Sequence, residues 1–371
     1  MTRQSPVIGI VGSAGAYGRW LRAFFETRMA LEVIGHDPAD ADSATPDTLL
    51  ERADVLVFSA PIRSTPALID DYVRLSAGRE AGRLWLDVTS IKQAPVEAML
   101  RSQAEVVGLH PMTAPPKAPT LKGRVLVLSE ARIDRWAPWL AALLDALEGE
   151  IVRATPQQHD QVMALVQAMV HASHLAQAGV LREFSGRLGP PAALMPFRSA
   201  SFELDAAVAA RILSLNPAIY EDIQVGNPHA GEVLDRLLGQ LQELRDLVRQ
   251  GDDVARARFR ERFLADRDAF GKDALAEGNH AYERLGYLLA DLTGKRHASV
   301  YLPEDRPGSL RALLHVFERH AVSLESIQSS RTPGGEVHFR IGFARDADQG
   351  ALAAAVAEID ASGIGRVLQS G

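Results

Sequence analysis

Short apolar segments alternate with helical patterns through residues 7–128, and this alternation restricts the fold more than any other feature of the chain. Segments typical of buried strands occupy residues 7–11, 31–35, 53–59, 84–88, 105–109 and 124–128. Parallel strands need long crossover connections, and a helix between two strands supplies one. The pattern therefore predicts an α/β domain with a parallel sheet, which we place at residues 1–155.

The turn between the first strand and the first helix reads Gly12-Ser13-Ala14-Gly15-Ala16-Tyr17-Gly18. In such a turn, Gly15 lets the backbone approach a pyrophosphate, and Gly18 allows the helix to pack closely on the strand. The helix N-terminus adds free amides for the anion. We therefore predict a dinucleotide site at Gly12, Ser13, Gly15, Ala16, Tyr17 and Gly18. Ser13 stands where the fingerprint has its first glycine, so a plain glycine turn is the alternative.

Asp37 ends the second predicted strand, about 20 residues beyond the turn, which is the separation that the dinucleotide fingerprint expects. A carboxylate here accepts hydrogen bonds from the adenosine ribose hydroxyls and repels the additional phosphate of NADP. The sequence therefore favours NAD as the cofactor. A simpler interpretation is that Asp37 only forms the turn before Pro38.

Composition limits the class of partner. The 371 residues have a formal net charge of -7, which argues against nucleic acid as the main partner. The absence of cysteine excludes disulfides and thiolate metal sites and suits a cytoplasmic protein. No apolar run is long enough to span a bilayer, and no signal-peptide pattern precedes the first strand. We therefore expect a cytoplasmic protein that binds a small molecule rather than nucleic acid or a membrane.

Helical periodicity dominates residues 159–292, where Ala, Leu, Arg and Glu predominate. Breaks are expected at Gly189-Pro190-Pro191, at Asn216-Pro217 and at Gly226-Asn227-Pro228. The region has more apolar surface than one thin layer of helices can bury. We therefore predict an all-helical domain at residues 156–293 that forms a homodimer.

The last segment, residues 294–371, reads as strand, helix, strand, strand, helix, strand. The predicted strands are residues 297–302, 323–331, 336–343 and 365–369, and the predicted helices are residues 309–321 and 349–361. The two middle strands are joined by Thr332-Pro333-Gly334-Gly335, whose composition is typical of a turn. This order predicts a small βαββαβ domain of the α+β class.

His110 is the most informative candidate for chemistry. It lies in Gly108-Leu109-His110-Pro111-Met112, where the fifth predicted strand ends. Open α/β sheets bind ligands at the carboxyl ends of their strands, so His110 is predicted to lie beside the dinucleotide. Its unperturbed pKa suits a general base near neutral pH. The alternative is a buried histidine that binds only backbone.

The chain resembles the prephenate dehydrogenase family over nearly its whole length. The resemblance rests on the order of short motifs, which are Gly12 to Gly18, Ser59-Ala60-Pro61-Ile62, Asp87-Val88-Thr89-Ser90-Ile91-Lys92, Gly108 to Met112, His159-Asp160-Gln161, His171, and Arg211 ahead of Asn216-Pro217-Ala218-Ile219-Tyr220. It implies a Rossmann-type domain followed by a helical dimerisation domain. It also implies NAD-dependent oxidative decarboxylation of prephenate to 4-hydroxyphenylpyruvate, in which a base takes the ring hydroxyl proton.

The resemblance implies roles on the cofactor side of the site. His110 matches the family's catalytic histidine, and Ser90 matches a serine that orients this imidazole and approaches the nicotinamide. Pro61 and His159 match positions on the cofactor side. These residues would place the base at the ring hydroxyl and the hydride acceptor beside the carbon that carries this hydroxyl.

On the substrate side, Arg211 matches the family's arginine for the substrate carboxylate, since a guanidinium binds a carboxylate with two hydrogen bonds. The alternative for Arg211 is a solvated helix face. His171 matches a position near the substrate, and Tyr220 is a pocket candidate that could equally be a core residue. His159 and His171 are twelve residues apart, so one face of a helix could carry both. Neither has an acidic or cysteine partner spaced to complete a metal site, and no metal is expected.

The C-terminal domain resembles an ACT-type regulatory domain, which binds amino acids at the loop between its first strand and first helix. Here that loop contains Asp305, Pro307 and Gly308. The implied function is feedback inhibition by tyrosine, whose carboxylate would meet the free amides of the helix N-terminus. The alternative is a domain that only dimerises or stabilises the protein.

Other functions stay open. Arogenate, with an amine in place of prephenate's side-chain ketone, is an alternative substrate. A β-hydroxyacid dehydrogenase would have a catalytic lysine on the first long helix of the second domain, where this chain has histidines. His110, Ser90 and Arg211 disfavour a non-catalytic amino-acid sensor. The loop at residues 113–119 lacks the glycine and the acidic residue with which some family members gate the site.

Overall fold

The computed structural model describes residues 5–116, 118–265, 271–293, 297–302, 306–331, 337–344 and 346–370. The chain forms two compact units, Met1–Gly251 and Asp252–Gly371. Among the described residues, no helix has both the length and the apolar character that a membrane span requires.

A seven-stranded sheet is the centre of the first unit. Its strands are β1 (Ile8–Val11), β2 (Val33–His36), β3 (Val55–Phe58), β4 (Leu84–Asp87), β5 (Glu105–Pro111), β6 (Val125–Arg132) and β7 (Glu150–Arg153). Their order across the sheet is β2-β1-β3-β4-β5-β6-β7. The first five strands pair in parallel, as predicted. The helices of this domain are α1 (Ala16–Arg28), α2 (Pro46–Arg52), α3 (Thr65–Ser76), α4 (Gln93–Met99) and α5 (Ala137–Leu147).

The prediction of a wholly parallel sheet is wrong at β6, which pairs antiparallel with β5. The described parts of their connection, residues 112–116 and 118–124, contain no crossover helix. Without a crossover, the next strand returns in the opposite direction. β7 was not predicted, and it pairs in parallel with β6. Three of its four residues are exposed, so it lacks the apolar pattern of a buried strand.

Both faces of the sheet are covered, which explains why its central strands are apolar throughout. Every residue of β1, β3 and β4 is buried. One face packs against α1 and α5, through residues such as Phe24 and Leu140. The opposite face packs against α2, α3 and α4, through residues such as Leu49, Ile69 and Val96.

The rest of the first unit is helical. It consists of α6 (Pro156–Met163), a π-helical turn (Ala164–Met169), α7 (Val170–Leu188), α8 (Pro191–Leu194), a 3-10 turn (Met195–Phe197), α9 (Ala200–Ser214), α10 (Pro217–Gly226) and α11 (Ala230–Gln250). The predicted breaks are confirmed, because α7 ends before Gly189 and the Asn216 side chain caps α10. His159 and His171 do not share one regular α-helix face. The π turn between them changes the helical phase.

The second unit contains α12 (Asp253–Phe259), a π-helical turn (Arg260–Leu264) and α13 (Lys272–Thr293). It continues as β8 (His297–Leu302), α14 (Ser309–Arg319), β9 (Leu324–Arg331), β10 (Val337–Phe343), α15 (Gln349–Ala361) and β11 (Arg366–Ser370). The four strands form an antiparallel sheet in the order β11-β8-β10-β9. The predicted βαββαβ order is therefore confirmed. Since α12 and α13 group with this sheet, the three-domain boundaries at residues 155 and 293 stay a prediction.

Candidate active site

The glycine turn after β1 has the shape that close backbone approach requires. Gly12 has a φ of 85°, and a Cβ there would lie 2.5 Å from the Ser59 carbonyl oxygen. A Cβ on Gly18 would lie 2.1 Å from the Gly12 carbonyl oxygen, so the predicted close packing of α1 on the strand is present. No side chain caps α1. Its first amides are therefore available to an anion such as a pyrophosphate.

Asp37 is half-buried at the end of β2 and contacts the glycine turn directly. Its Oδ2 accepts a 2.9 Å hydrogen bond from the Ala14 amide, and its Oδ1 accepts one of 2.9 Å from Ala39. The carboxylate therefore shapes the turn before Ala39, as the simpler interpretation proposed. Each carboxylate oxygen can accept a further hydrogen bond, so a ribose hydroxyl can also bind here.

Two aromatic residues of α1 hold the proline-rich loop that follows β5. The Tyr17 hydroxyl donates a 2.9 Å hydrogen bond to the Thr113 carbonyl, and Trp20 Nε1 donates one of 3.0 Å to Ala118. Burial raises the pKa of Tyr17, so its hydroxyl stays protonated and keeps donating. The Tyr17 side chain thus links the predicted cofactor turn to the loop beside His110.

A buried ion pair lies at the carboxyl ends of β4 and β5. Asp87 and Lys92 are both fully buried, and Lys92 Nζ binds Asp87 Oδ2. Lys92 Nζ also donates a 2.8 Å hydrogen bond to the Leu109 carbonyl, directly before His110. Thr89 gives Asp87 Oδ2 two further hydrogen bonds, from its amide and its hydroxyl. Because a buried charge is costly unless it is paired and hydrogen-bonded, these contacts hold the loop after β4 in one conformation.

Asp160, His159 and His110 form a continuous hydrogen-bonded chain beside this ion pair. Nδ1 of His159 lies 2.7 Å from Oδ1 of Asp160, and Nε2 of His159 lies 2.8 Å from Nδ1 of His110. All three side chains are buried. His110 lies on β5, whereas the other two lie on α6. The chain therefore joins the sheet to the helical segment.

Both carboxylate oxygens and the backbone carbonyl of Asp160 accept hydrogen bonds. Its Oδ1 also accepts the Lys92 amide at 2.8 Å, and its Oδ2 accepts the Gln93 amide at 2.9 Å. The Asn227 side chain donates a 2.8 Å hydrogen bond to the Asp160 carbonyl. The two amide contacts fix the carboxylate against the loop after β4, and the Asn227 contact joins the Asp160 backbone to the segment that follows α10.

Burial sets the protonation of the two histidines. It lowers the pKa of His110 well below the usual histidine value, and nearby His159 and Lys92 lower it further. Burial also lowers the pKa of His159, although the hydrogen bond to Asp160 opposes this effect. Both rings are therefore neutral near pH 7. A neutral imidazole can accept a proton, which is what a general base must do.

Ser90 lies between Thr89 and Ile91 and is half-buried. Within residues 5–116 and 118–251, no hydrogen bond joins its hydroxyl to His110, whose ring instead binds His159. A Cβ on Gly226 would lie 2.8 Å from Ile91 Cδ1, so the end of α10 packs against the loop that carries Ser90. The orienting role of Ser90 stays a prediction. Pro61, after β3, is exposed, and its role also stays a prediction.

The structure brings two of the predicted substrate residues together. The rings of His171, on α7, and Tyr220, on α10, meet edge to face with centroids 4.9 Å apart. Nδ1 of His171 is buried and has no hydrogen-bond partner among the described residues. Burial, and to a smaller degree His174, lowers the pKa of His171.

Arg211 lies apart from this pair. It is exposed in the last turn of α9, and in the described part of the chain its guanidinium forms no ion pair. Its helix packs against α7, which carries His171. The structure therefore leaves Arg211 on a helix next to that of His171, with a free charge.

Two family models match the chain. The model for the prephenate dehydrogenase nucleotide-binding domain matches residues 38–155, and the model for the prephenate dehydrogenase dimerization domain matches residues 155–263. A 4-amino-4-deoxyprephenate dehydrogenase from Streptomyces pristinaespiralis is 30% identical over 264 residues, which are 66% of this chain and 85% of that protein. The chain belongs to the prephenate dehydrogenase family. Family membership confirms the predicted resemblance to this family, with the family models matching residues 38–263, and it confirms the predicted nucleotide-binding domain.

Two further relatives are matched over only part of their own length. A probable arogenate/prephenate dehydrogenase from Methanocaldococcus jannaschii is 24% identical over 269 residues, which are 68% of this chain and 59% of that protein. The T-protein of Enterobacter agglomerans is 28% identical over 252 residues, which are 67% of this chain and 64% of that protein. The chain thus spans less than two thirds of the length of either relative.

Solved structures of the prephenate dehydrogenase family share the fold. The prephenate dehydrogenase of Aquifex aeolicus, in complex with hydroxyphenyl propionate and NAD+, is 17% identical with a TM-score of 0.55, over 70% of this chain and 97% of that one. The arogenate dehydrogenase of Synechocystis is 19% identical with a TM-score of 0.52, over 75% and 99%. The predicted order of a Rossmann-type domain and a helical domain is confirmed.

Three residues of the site were not predicted to have a role, namely Asp87, Lys92 and Asp160. Asp160 is adjacent to His159 in the sequence, and Asp87 and Lys92 lie within three residues of Ser90. A lysine and an aspartate flanking the end of a buried strand are a recognisable signal, because neither can be buried there without a partner. For Asp160, the adjacent His159 is the corresponding signal.

Proposed function

We propose that this member of the prephenate dehydrogenase family is an NAD-dependent prephenate dehydrogenase that forms 4-hydroxyphenylpyruvate. The observation that carries the proposal is the buried chain of Asp160, His159 and His110 at the carboxyl edge of a nucleotide-binding sheet. Oxidation of the ring alcohol needs a hydride acceptor and a neutral base at one carbon. The fold supplies a place for the first and His110 supplies the second.

The residues of the glycine turn fit NAD. Gly12 and Gly18 leave no room for a Cβ, whereas the nearest atom to a Cβ on Gly15 would be the Gly12 carbonyl oxygen at 3.2 Å. The uncapped α1 would bind the pyrophosphate, and Asp37 would bind the ribose. When bound, NAD accepts the hydride from the substrate carbon. Asp37 supports NAD rather than NADP, because its charge opposes another phosphate.

His110 takes the proton of the ring hydroxyl as the carbonyl forms. The electrons of the bond between the ring and its carboxylate then move through the ring to the new carbonyl oxygen, and carbon dioxide leaves. This oxygen takes the proton back from His110, which gives the aromatic phenol. Around His110, the described buried charges are Asp87, Asp160 and Lys92, two negative and one positive. The imidazolium formed in the reaction brings the formal charge of these groups to zero. Because burial lowers the pKa of His110, the imidazolium readily gives its proton back.

We assign the substrate carboxylates to Arg211, with His171 and Tyr220 forming the pocket wall. The uncompensated guanidinium of Arg211 can bind a carboxylate with two parallel hydrogen bonds. His171 Nδ1, buried without a protein partner, supports a polar ligand at this place. Arogenate stays the alternative substrate, since its carboxylates are the same.

We propose that the helical segment forms a homodimer. None of the 19 residues of α7 is buried in the single chain, although Val180 and Leu188 are apolar. A long helix with exposed apolar side chains and no buried residue indicates a missing partner surface. The match to a family model of a dimerization domain supports the same surface.

For the C-terminal βαββαβ unit we propose an ACT-like regulatory function. An open cavity of about 1000 Å³ lies beside α14, and its lining includes Gly308, Arg311 and His315. Gly308 has a φ of 101° and precedes the helix, and Pro307 is exposed beside it. Asp305, the third predicted effector residue, lies outside the described residues. Arg311 offers a cation for an amino acid's carboxylate.

Tyrosine binding is tested on the full chain by its melting temperature and its activity. A ligand of the folded state must raise the melting temperature. The regulatory proposal expects tyrosine to raise it and to lower the rate, and an Arg311→Ala variant to lose both effects. If tyrosine changes neither quantity in the unmodified chain, the proposal is wrong.

One assay tests the catalytic proposal. NADH formation is measured with prephenate, arogenate, 4-amino-4-deoxyprephenate and a simple β-hydroxyacid, with NAD or NADP. The proposal expects the highest kcat/KM with prephenate and NAD, together with release of carbon dioxide. A higher kcat/KM with either amino compound would transfer the function to that substrate. Absence of turnover with all four would support a non-catalytic sensor.

A further inference from the structure

We infer that Asp160 is a positioning residue that sets the tautomer of His110 through His159, so that Nε2 of His110 is the atom that accepts the substrate proton. The inference rests on the proposed role of His110 as the base. It deepens that role by naming the group that decides which ring nitrogen is free.

The first step is the state of Asp160. Both of its carboxylate oxygens accept backbone amides, at 2.8 Å from Lys92 and 2.9 Å from Gln93. An amide N–H can only donate, so the carboxylate acts as an acceptor on both oxygens. Oδ1 then also accepts from His159, which requires the His159 proton to be on Nδ1.

The second step passes this choice to His110. A neutral imidazole has one donor and one acceptor nitrogen. With its proton on Nδ1, His159 presents a lone pair at Nε2, and the only group that it meets there in the described structure is His110 Nδ1, at 2.8 Å. His110 must therefore donate from Nδ1. Its own Nε2 then has the lone pair and, among the described residues, no hydrogen-bond partner.

The other charged groups at this place do not compete for the choice. Lys92 Nζ donates hydrogen bonds to Asp87 and to the Leu109 carbonyl. Asp87 Oδ2 accepts hydrogen bonds from Lys92 and Thr89. The described contacts of the His110 ring nitrogens therefore lead only to His159 and then to Asp160. Asp160 itself is fixed by contacts to two backbone amides, so the orientation is set before the substrate binds.

Asp160→Asn tests the inference, because asparagine keeps the shape and adds a donor. When the asparagine oxygen keeps the Gln93 amide, its NH2 takes the place of Oδ1 and can donate to His159 Nδ1, at the loss of the Lys92 amide bond. This reverses both rings and places the His110 proton on Nε2. We expect kcat with prephenate to fall by about 10²- to 10⁴-fold, the usual contribution of a general base. The KM for prephenate should stay within about threefold, since the residues proposed to bind the substrate are unchanged.

Nitrogen-15 NMR of labelled histidine reads the tautomer without any turnover. Wild-type enzyme should show His110 protonated at Nδ1, and Asp160→Asn should show it protonated at Nε2. A wild-type His110 protonated at Nε2 overturns the inference, and this result does not depend on whether the variant folds. A kcat close to wild type in an Asp160→Asn enzyme whose His110 is protonated at Nε2 overturns it as well. Failure of prephenate turnover in wild type would instead refute the proposed function and leave the NMR result standing.

Glu80→Gln is the matched control. Glu80 is a buried carboxylate that accepts the Gln103 amide at 3.0 Å, but it lies before β4, at the opposite edge of the sheet. It therefore reports the loss of a buried carboxylate without any contact to a histidine. Wild-type kcat and a wild-type histidine spectrum are expected. An equal loss of kcat in Glu80→Gln would show that the Asp160 effect is merely structural, and would overturn the inference.

Discussion

His110 and His159 meet ring to ring, with Nδ1 and Nε2 2.8 Å apart and the ring centroids 5.0 Å apart. One proton lies between the two nitrogens. Protonating both rings would place two positive charges within hydrogen-bonding distance, so the pair takes up its protons in coupled steps. The two histidines therefore act as one acid–base unit that spans the sheet and α6.

Stability should depend on pH through these histidines. In the unfolded chain a histidine titrates near pH 6.5, and folding lowers the pKa of both His110 and His159. Below that pH the unfolded state binds more protons than the folded state. The free energy of unfolding should thus be highest above about pH 6.5 and should decline as the pH falls toward the lowered pKa values of the folded state.

Urea unfolding across this pH range measures the effect, and His159→Gln should weaken the pH dependence because it removes one of the buried groups. His315→Gln is the control, since His315 is exposed and, among the described residues, pairs only with Glu318. A free energy of unfolding that stays constant from about pH 7 down to about pH 5 would contradict the prediction.

Asp37→Asn should relax the preference for NAD. Asparagine Oδ1 can still accept the Ala14 amide, so the contact to the glycine turn is kept while the charge and the Ala39 hydrogen bond are lost. We expect the ratio of kcat/KM for NAD to that for NADP to fall by about tenfold or more, because a like charge near a phosphate costs several kcal/mol. Asp40→Asn, an exposed neighbour, should leave the ratio unchanged. A wild-type preference for NADP would refute the role of Asp37.

Arg211→Ala should raise the KM for prephenate by about 10- to 100-fold with a smaller change in kcat, which is the effect of losing a charged hydrogen bond made in the ground state. Arg211→Lys should recover only part of the loss, because an ammonium cannot form the two-pronged contact. Arg249→Ala, at an exposed arginine in the last turn of α11, is the control. Steady-state kinetics decide, and an unchanged KM in Arg211→Ala removes the arginine from the site.

Val180→Asp should convert the dimer to a monomer. Val180 is 54% exposed on α7 in the single chain. The proposed dimer would bury this position, so an aspartate there would be an unpaired charge in the interface. Sedimentation velocity at micromolar concentration should show the lower mass with an unchanged helical circular dichroism spectrum. Leu75→Asp on α3, at an apolar residue that is 42% exposed, should stay dimeric. Wild-type protein that sediments as one chain would contradict the homodimer.

Much of the fold could be predicted because burial leaves a local record. Strands β1 to β5 are apolar runs, and Gly189 and Asn216 mark helix boundaries in the sequence itself. The direction of β6 has no such record, since the same alternation suits a parallel or an antiparallel strand. The π turn at Ala164–Met169 could not be predicted from the sequence either, because its residue types are those of an ordinary α-helix.

The site could be predicted less completely, for a related reason. His110 was found because a strand end is a local feature. The contact between His110 and His159 joins residues 49 positions apart, and Asp160 accepts the amide of Lys92 from 68 positions away. Such contacts depend on how α6 packs against the sheet, which local periodicity does not describe.

The role of His110 as base is tested most directly by single-turnover NADH formation in His110→Asn with saturating prephenate and NAD. Asparagine fills a similar volume and can donate to His159, but it cannot accept the hydroxyl proton near neutral pH. The rate should fall by about 10²- to 10⁴-fold, while the Kd for prephenate stays within about threefold of wild type. A His110→Asn enzyme that forms NADH at the wild-type rate would contradict the role.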